Sequence, residues 1–127
     1  MTFALSDKSQ GRLVGVHPRL QAVVRLAITI SAVDFAVLEG IRTVERQKEL
    51  VASGASKTMR SRHLTGHAVD LGAIVGGQVR WDWALYPKIA DAMKQASHEL
   101  FTPIEWGGDW ESFKDGPHFQ LPWKEYP

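Results

Sequence analysis

The stretch SRHLTGHAVD, residues 61–70, concentrates side chains that could bind a metal ion or act as nucleophiles. It contains Ser61, His63, His67 and Asp70, and His118 follows in the later segment DGPHFQ. Two histidines and one carboxylate can hold a zinc ion that keeps an open fourth position for water, as catalytic zinc sites do. The alternative from spacing alone is a set of polar residues that cap turns or pair by hydrogen bonds.

Two predicted strands have to present these groups on one face of a sheet. In AVDLGA, Asp70 shares a face with small residues, while the larger apolar residues alternate onto the other face. In PHFQL, His118 lies opposite the apolar residues in the same way, and His63 precedes the first of the two strands. A metal held there lowers the pKa of its water to about 7. Asp115, three residues before His118, could accept the proton of that water.

The periodicity of apolar residues predicts the elements around these strands. A short opening helix in SDKSQGRL is followed by a helix that begins at Pro18, a helix with Thr43 as its N-cap, and a helix that begins near Pro87. Strands are predicted in DFAVLEGI, HAVDLGAIV, PIEW and PHFQL. This order, with its short late connections, predicts an α+β fold in which helices pack on a small, mainly antiparallel sheet.

Length and composition exclude several classes of protein and of site. The 127 residues are interpreted as one domain, and a net charge of +1 gives no sign of a nucleic-acid-binding surface. The absence of cysteine excludes disulfides, cysteine-ligated zinc and a thiol nucleophile. The N-terminus lacks the pattern of a secretory signal, and charged residues interrupt the most apolar stretch, Leu20 to Leu38. We therefore expect a monomer that is made in a cytosol and has no stable association with a membrane.

Four segments resemble motifs of the M15 family of zinc peptidases. SRHLTGHAVD matches the pattern S-x-H-x-x-G-x-A-x-D at every fixed position, and DGPHFQ matches the acidic-x-x-His motif. EGIRTVERQKEL resembles the arginine-containing segment of the family, and EWGGDW resembles its Trp-Gly-Gly-x-Trp segment. The most similar branch is the L-alanyl-D-glutamate endopeptidases, which include small phage endolysins. The resemblance implies the fold that D,D-peptidases share with Hedgehog domains.

The resemblance also implies roles for individual residues. It implies His63, Asp70 and His118 as the ligands of Zn2+ and Asp115 as the general base. Some relatives have Glu at the base position, so the shorter Asp requires a turn geometry that compensates. His67 occupies a variable position of the family and is interpreted as a bystander, because a fourth protein ligand would close the position for water.

Arg42, Gln47 and Ser61 are candidates for contact with a substrate. With the family as guide, the Arg42 guanidinium binds a carbonyl or carboxylate of the substrate. Taken alone, Arg42 would be an exposed arginine at the start of a helix. Gln47 matches a recurring glutamine of the family, and its alternative is a solvated helix face. Ser61 could orient His63, bind the peptide, or only cap the loop.

Aromatic and basic residues near the motifs extend the predicted site. Trp106 is predicted to form part of a groove wall for a peptide, and core packing is the alternative for it or for Trp110. Lys57, Arg60 and Arg62 could attract an acidic peptide, and their alternative is a solvated loop.

The function implied by the resemblance is hydrolysis of the stem peptide of peptidoglycan at the L-Ala–D-Glu bond. Residues 1–127 would be a single catalytic domain without a separate wall-binding domain. The protein would act as a phage endolysin that stays in the host cytoplasm until a holin opens the membrane and gives access to the cell wall. The alternatives are a D-Ala–D-Ala carboxypeptidase or dipeptidase of the same family and a non-catalytic binding module that keeps the zinc fold.

Overall fold

Four α-helices and five strands are found within residues 2–127, the part of the chain that this computed structural model describes. The helices are α1 (Asp7–Arg12), α2 (Pro18–Ile30), α3 (Val44–Ala52) and α4 (Tyr86–Glu99). The strands are β1 (Asp34–Glu39), β2 (Ala68–Val75), β3 (Gln78–Arg80), β4 (Glu105–Trp106) and β5 (His118–Gln120). Short 3-10 helices occupy Arg62–Thr65, Trp83–Leu85 and Gly107–Asp109.

The five strands within the described residues form one antiparallel sheet. Its order is β1-β2-β5-β4, and β3 pairs with β2. The register places Asp70 of β2 opposite Glu39 of β1 on one side and opposite His118 of β5 on the other. The predicted α+β class, with helices and a mainly antiparallel sheet, is confirmed. Polar residues from three distant parts of the chain are thereby aligned across adjacent strands.

A β-bulge interrupts β1 between Val37 and Glu39. Val37 lies opposite Leu71 and is fully buried in the core, whereas Glu39 lies opposite Asp70. In a regular strand, residues two apart point to the same face, so Glu39 would follow Val37 into the core. The extra residue, Leu38, instead moves Glu39 onto the face that carries Asp70.

The hydrophobic core lies on the other face of the sheet. Helix α2 packs against α4, and α4 contacts β2. The apolar stripe predicted for α2 is buried, and it consists of Leu20, Val23, Val24, Ala27 and Ile28. From the sheet, Val69, Leu71 and Phe119 join the same core and are fully buried. This packing leaves the opposite face of β2 and β5 available for polar side chains.

The helix boundaries agree with the predicted capping signals. Pro18 lies in the first turn of α2, and the Thr43 hydroxyl accepts a hydrogen bond from the Arg46 backbone N–H at the start of α3. Helix α4 begins at Tyr86, directly before the proline that is expected near its start. The connection between α3 and β2 contains the 3-10 helix Arg62–Thr65. No helix within residues 2–127 is long and apolar enough to span a membrane.

Candidate functional site

His63, Asp70 and His118 come together on the polar face of the sheet. Asp70 Oδ1 lies 3.2 Å from His63 Nε2 and 3.3 Å from His118 Nδ1. One ligand atom from each residue lies within 4.8 Å of the others, so a single ion could contact all three. Within residues 2–127 this is the one group of three or more such side chains that could hold a metal ion.

Each imidazole is oriented by its second nitrogen. His63 Nδ1 lies 2.8 Å from the Gly40 carbonyl oxygen, and His118 Nε2 lies 2.8 Å from Gln120 Oε1. Because the Gly40 carbonyl can only accept, His63 Nδ1 carries a proton, and Nε2 is the nitrogen that faces Asp70. At this distance Nε2 either carries a second proton and donates to the carboxylate, or presents its lone pair to a cation that the carboxylate also binds. The donor set therefore fits a cation held by these three residues.

The pKa values of the cluster follow from this arrangement. Burial alone would raise the pKa of Asp70, but hydrogen bonds and charge from His118 and His63 hold it well below its usual range. Burial alone would lower the pKa of His118, but its hydrogen bond to Asp70 and the charge of Asp70 raise it above that of a free histidine. Asp70 and His118 therefore each stabilise the charged form of the other.

Secondary structure sets the positions of the three side chains. Asp70 and His118 are paired residues on β2 and β5, so the register of the sheet fixes their separation. His63 belongs to the 3-10 helix Arg62–Thr65, where the Ser61 hydroxyl accepts a hydrogen bond from the His63 backbone N–H. This helix ends at Gly66, whose φ of +75° and close approach to the Gly15 carbonyl exclude a side chain.

Arg42 lies beside the cluster and is held by three side chains. Its guanidinium donates to Glu39 Oε1, to Gln47 Oε1 at 2.7 Å and to Ser61 Oγ at 3.4 Å. Its Nη2 also lies 4.0 Å from Asp70 Oδ2. The predicted residues Arg42, Gln47 and Ser61 are thus brought together, next to the candidate metal ligands.

Gln47 is predicted from the sequence to contact a substrate, but the structure places it behind Arg42. Its side chain is fully buried and does not line the groove described below. Its amide nitrogen donates to Ser56 Oγ at 2.9 Å and to the Thr58 carbonyl at 2.6 Å. Gln47 therefore joins Arg42 to the loop that follows α3, and its polar atoms are occupied within the protein.

A groove of about 420 Å³ opens over the cluster. Asp115 lines it together with His63, Asp70 and His118. Burial raises the pKa of the Asp115 carboxyl, and the negative charge of Asp70 raises it further, while His118, His63 and Arg42 oppose the shift. A raised pKa makes the ionised carboxylate a stronger base.

Trp106 does not form the predicted wall of this groove. Its side chain is 8% exposed, its indole N–H donates to the Gly116 carbonyl at 2.7 Å, and its ring stacks with Phe119. Trp110 lines the groove instead, with its ring centroid 5.2 Å from that of His118. The prediction for Trp106 is therefore corrected to core packing, because its position in β4 directs the ring toward the core.

The basic residues near the cluster fall into two kinds. Arg62 is buried, and its guanidinium donates to the carbonyls of Leu121, Pro122 and Tyr126. Lys57 and Arg60 are exposed and line the groove. Arg62 therefore fixes the C-terminal segment to the turn that carries His63, while the other two cations face solvent.

Several partners of the site cannot be inferred from motif spacing. Glu39, Gln120 and the Gly40 carbonyl hold Arg42, His118 and His63 respectively. The one available signal is strand alternation, which places Gln120 on the face of His118. His67 lies outside the cluster, with its ring centroid 5.5 Å from that of His17.

A family model describing phage L-alanyl-D-glutamate peptidases matches residues 1–121. The L-alanyl-D-glutamate peptidase of Escherichia phage T5 is 34% identical over 119 residues, covering 91% of this chain and 87% of that protein. The peptidoglycan L-alanyl-D-glutamate endopeptidase CwlK of Bacillus subtilis is 27% identical over 122 residues, covering 84% of this chain and 73% of that protein.

A solved structure shares the whole architecture. The crystal structure of the Serratia marcescens L-Ala D-Glu endopeptidase ChiX superposes with a TM-score of 0.92 at 51% sequence identity. The match covers 95% of this chain and 91% of that one. The fold and the sequence family therefore agree.

Proposed function

This chain belongs to the family of phage L-alanyl-D-glutamate peptidases, as its motifs had indicated, and on that premise we propose that it is a zinc-dependent peptidase of peptidoglycan. The bond we assign to it is L-Ala–D-Glu in the stem peptide. The observation that carries the proposal is the convergence of His63, Asp70 and His118 around one position where a single ion could contact all three. The names of the relatives supply the substrate.

We assign the metal position to zinc held by His63, Asp70 and His118. Two imidazole nitrogens and one carboxylate oxygen form a ligand set typical of catalytic zinc and leave a coordination position free. When bound, zinc would polarise the scissile carbonyl and make a water molecule easier to deprotonate. Gly40 and Gln120 support this use because they fix which nitrogen each histidine presents.

The residues around the metal position are assigned to proton transfer and to stabilisation of the negative charge that develops in the reaction. Asp115 lines the groove with a raised pKa, and we assign it to accept the proton of the attacking water and return it to the departing amine. Arg42 places its positive charge beside Asp70, where it can stabilise the negative charge that develops on the carbonyl oxygen. Glu39 and Gln47 hold the guanidinium in place, which reduces the reorganisation needed during the reaction.

In its biological setting we propose a phage endolysin that acts as a monomer. It would be made in the host cytoplasm and would reach peptidoglycan after a holin opens the membrane. The phage T5 relative supports this setting. The alternative is that this chain is a bacterial enzyme of cell-wall turnover, and the relative from Bacillus subtilis supports that alternative.

A digest of purified peptidoglycan, followed by mass spectrometry of the products, tests the function. We expect a new N-terminal D-Glu on the released peptides, loss of cleavage with a chelator and recovery with zinc. Release of free D-Ala would instead indicate a D-Ala–D-Ala carboxypeptidase or dipeptidase. Absence of any cleavage with zinc present would indicate a binding module.

A further inference from the structure

We propose that Lys57 and Arg60 form a carboxylate-binding subsite that fixes the direction of the stem peptide in the groove. This inference rests on the proposed function and concerns a step that the metal cluster does not perform. The subsite would bind a free carboxylate on the D-Glu side of the scissile bond. That carboxylate is the α-carboxylate of D-Glu or the side-chain carboxylate of a diaminopimelate at the third stem position.

The positions of the two side chains carry the first part of the argument. Lys57 and Arg60 lie in the loop between α3 and the 3-10 helix of His63, and both line the groove that contains His63, Asp70 and Asp115. A peptide that occupies this groove would therefore lie close to both cations.

Their charge is available, in contrast to that of the neighbouring arginines. Arg42 is paired with Glu39, and the Arg62 guanidinium is buried against backbone carbonyls. Within residues 2–127, no carboxylate forms an ion pair with Lys57 or Arg60. The acidic residues that line the groove are Asp70 and Asp115, which belong to the cluster itself.

Aromatic rings hold the two cations without neutralising them. Lys57 Nζ lies 4.6 Å from the ring centroid of Phe113, and Arg60 Cζ lies 5.1 Å from that of Trp123. Both rings also line the groove and are about half exposed, at 52% and 44%. A cation over a ring keeps its full charge and loses part of its freedom before the ligand arrives. The two cations are therefore placed in advance for an anionic ligand.

The chemistry of the substrate gives these cations a direction. In the wall peptide, the carboxyl group that precedes L-Ala is consumed in the amide bond to the sugar. Every free carboxylate of the stem therefore lies on the D-Glu side of the scissile bond. Lys57 and Arg60 would attract the part of the peptide on the D-Glu side of the scissile bond. The part that carries L-Ala and the sugar would then occupy the rest of the groove.

The test combines charge-neutral variants with charge-neutral substrates. The variants are Lys57→Met and Arg60→Met, singly and together, with Lys88→Met on the exposed face of α4 as a control. The substrates are a muramyl peptide with D-Glu and diaminopimelate, the same peptide with D-isoglutamine, and the same peptide with L-Lys at the third position. Steady-state KM and kcat are measured for each pair, and thermal melting checks that the variants are folded.

We expect each variant to raise KM about fivefold on the fully acidic peptide, with kcat nearly unchanged, since exposed ion pairs contribute up to about 1 kcal/mol. Lys88→Met should behave as the unsubstituted protein. If the effect disappears with D-isoglutamine, the α-carboxylate is the ligand; if it disappears with L-Lys, the third residue is the ligand.

The proposal is overturned if the variants keep the original KM on the acidic peptide, or if KM rises equally on all three peptides. Cleavage by the unsubstituted protein shows whether the proposed function or only the proposed subsite has failed. If it cleaves the peptides while the variants behave as it does, only the subsite fails. If it cleaves none of them with zinc present, the proposed function and the subsite fail together.

Discussion

At the scale of single residues, Asp70 is the point at which the interactions of the site meet. Its carboxylate contacts His63 and His118 and lies 4.0 Å from Arg42 Nη2. Each of these partners is in turn held by a group that takes no part in the cluster: the Gly40 carbonyl, Gln120 and Glu39. The position of the carboxylate is consequently determined from several sides.

Asp115→Asn separates metal binding from catalysis. Asp115 lines the groove but is not one of the three candidate ligands, so we expect the metal content to stay unchanged. Loss of the base should lower kcat by about 10²- to 10⁴-fold. The measurements are metal analysis and the rate of peptide release. Glu111→Gln, an exposed neighbour in the same loop, serves as the control. Wall lysis at the normal rate by the Asp115 variant would contradict the role of this residue.

Motif spacing predicts the residues of the cluster but not their supports. The structure brings His63, Asp70 and His118 together, as their strand faces and the family pattern indicate. Glu39 escapes prediction because its direction depends on a bulge that the residue types do not reveal. The match to the family's glutamine predicts that Gln47 contacts a substrate. Its spacing from Arg42 does not reveal that its amide is hydrogen-bonded inside the protein.

At the scale of elements, the loop that carries Asp115 is positioned by contact with Gly107. The Asp115 backbone N–H donates to the Gly107 carbonyl at 3.0 Å. A Cβ on Gly107 would lie 2.3 Å from the Asp115 carbonyl oxygen and 2.9 Å from its Cβ. The glycine is therefore required for the close approach of the two segments.

Gly107→Ala should displace Asp115 and lower kcat while the metal remains bound. The forced shift should also reduce the free energy of unfolding by about 1–3 kcal/mol. Gly11→Ala is a matched control, because a Cβ added there would meet no atom within 4 Å outside its own helix and alanine favours helix by about 0.5–1 kcal/mol. Peptide-release kinetics and denaturant unfolding measure both effects. Full turnover by Gly107→Ala would show that this contact does not position the base.

Long periodic elements are predicted better than short ones. Helix α2 and its buried stripe follow from apolar spacing that a single helix can satisfy by itself. The two-residue strand β4 has no such internal signal, and whether Trp106 or Trp110 faces the groove depends on how the strand and the following turn are oriented. The correction at Trp106 arises from that orientation.

At the scale of the whole molecule, the candidate ligands come from three separate parts of the chain that meet only in the folded state. An ion that binds all three should therefore stabilise the fold, by about 2.7 kcal/mol when its free concentration is about 100 times Kd. The raised pKa of His118 means that a proton competes with the ion.

We expect zinc to raise the melting temperature, and to raise it more at about pH 8 than at about pH 6. As the pH rises through the pKa of His118, the metal-free protein loses the ion pair with Asp70, while the zinc-bound form no longer has to displace a proton. His118→Gln should abolish the zinc effect, and His98→Gln, on the exposed part of α4, should retain it. An equal zinc shift in both variants, or a larger shift at the lower pH, would contradict this assignment.

The β-bulge at Leu38 makes the number of residues in β1 as important as their identity. If β1 kept its length but followed a regular register, the ligands in β2 and β5 would be unaffected, but Leu38 would lie opposite Asp70, and Glu39 would fall opposite Val69 and turn into the core, so that Arg42 would lose its anchor. A design that transplanted the family motifs onto a regular, bulge-free sheet would therefore reproduce the metal site and misplace the guanidinium beside it. Insertions and deletions in β1 should be tolerated less well than substitutions of its exposed residues.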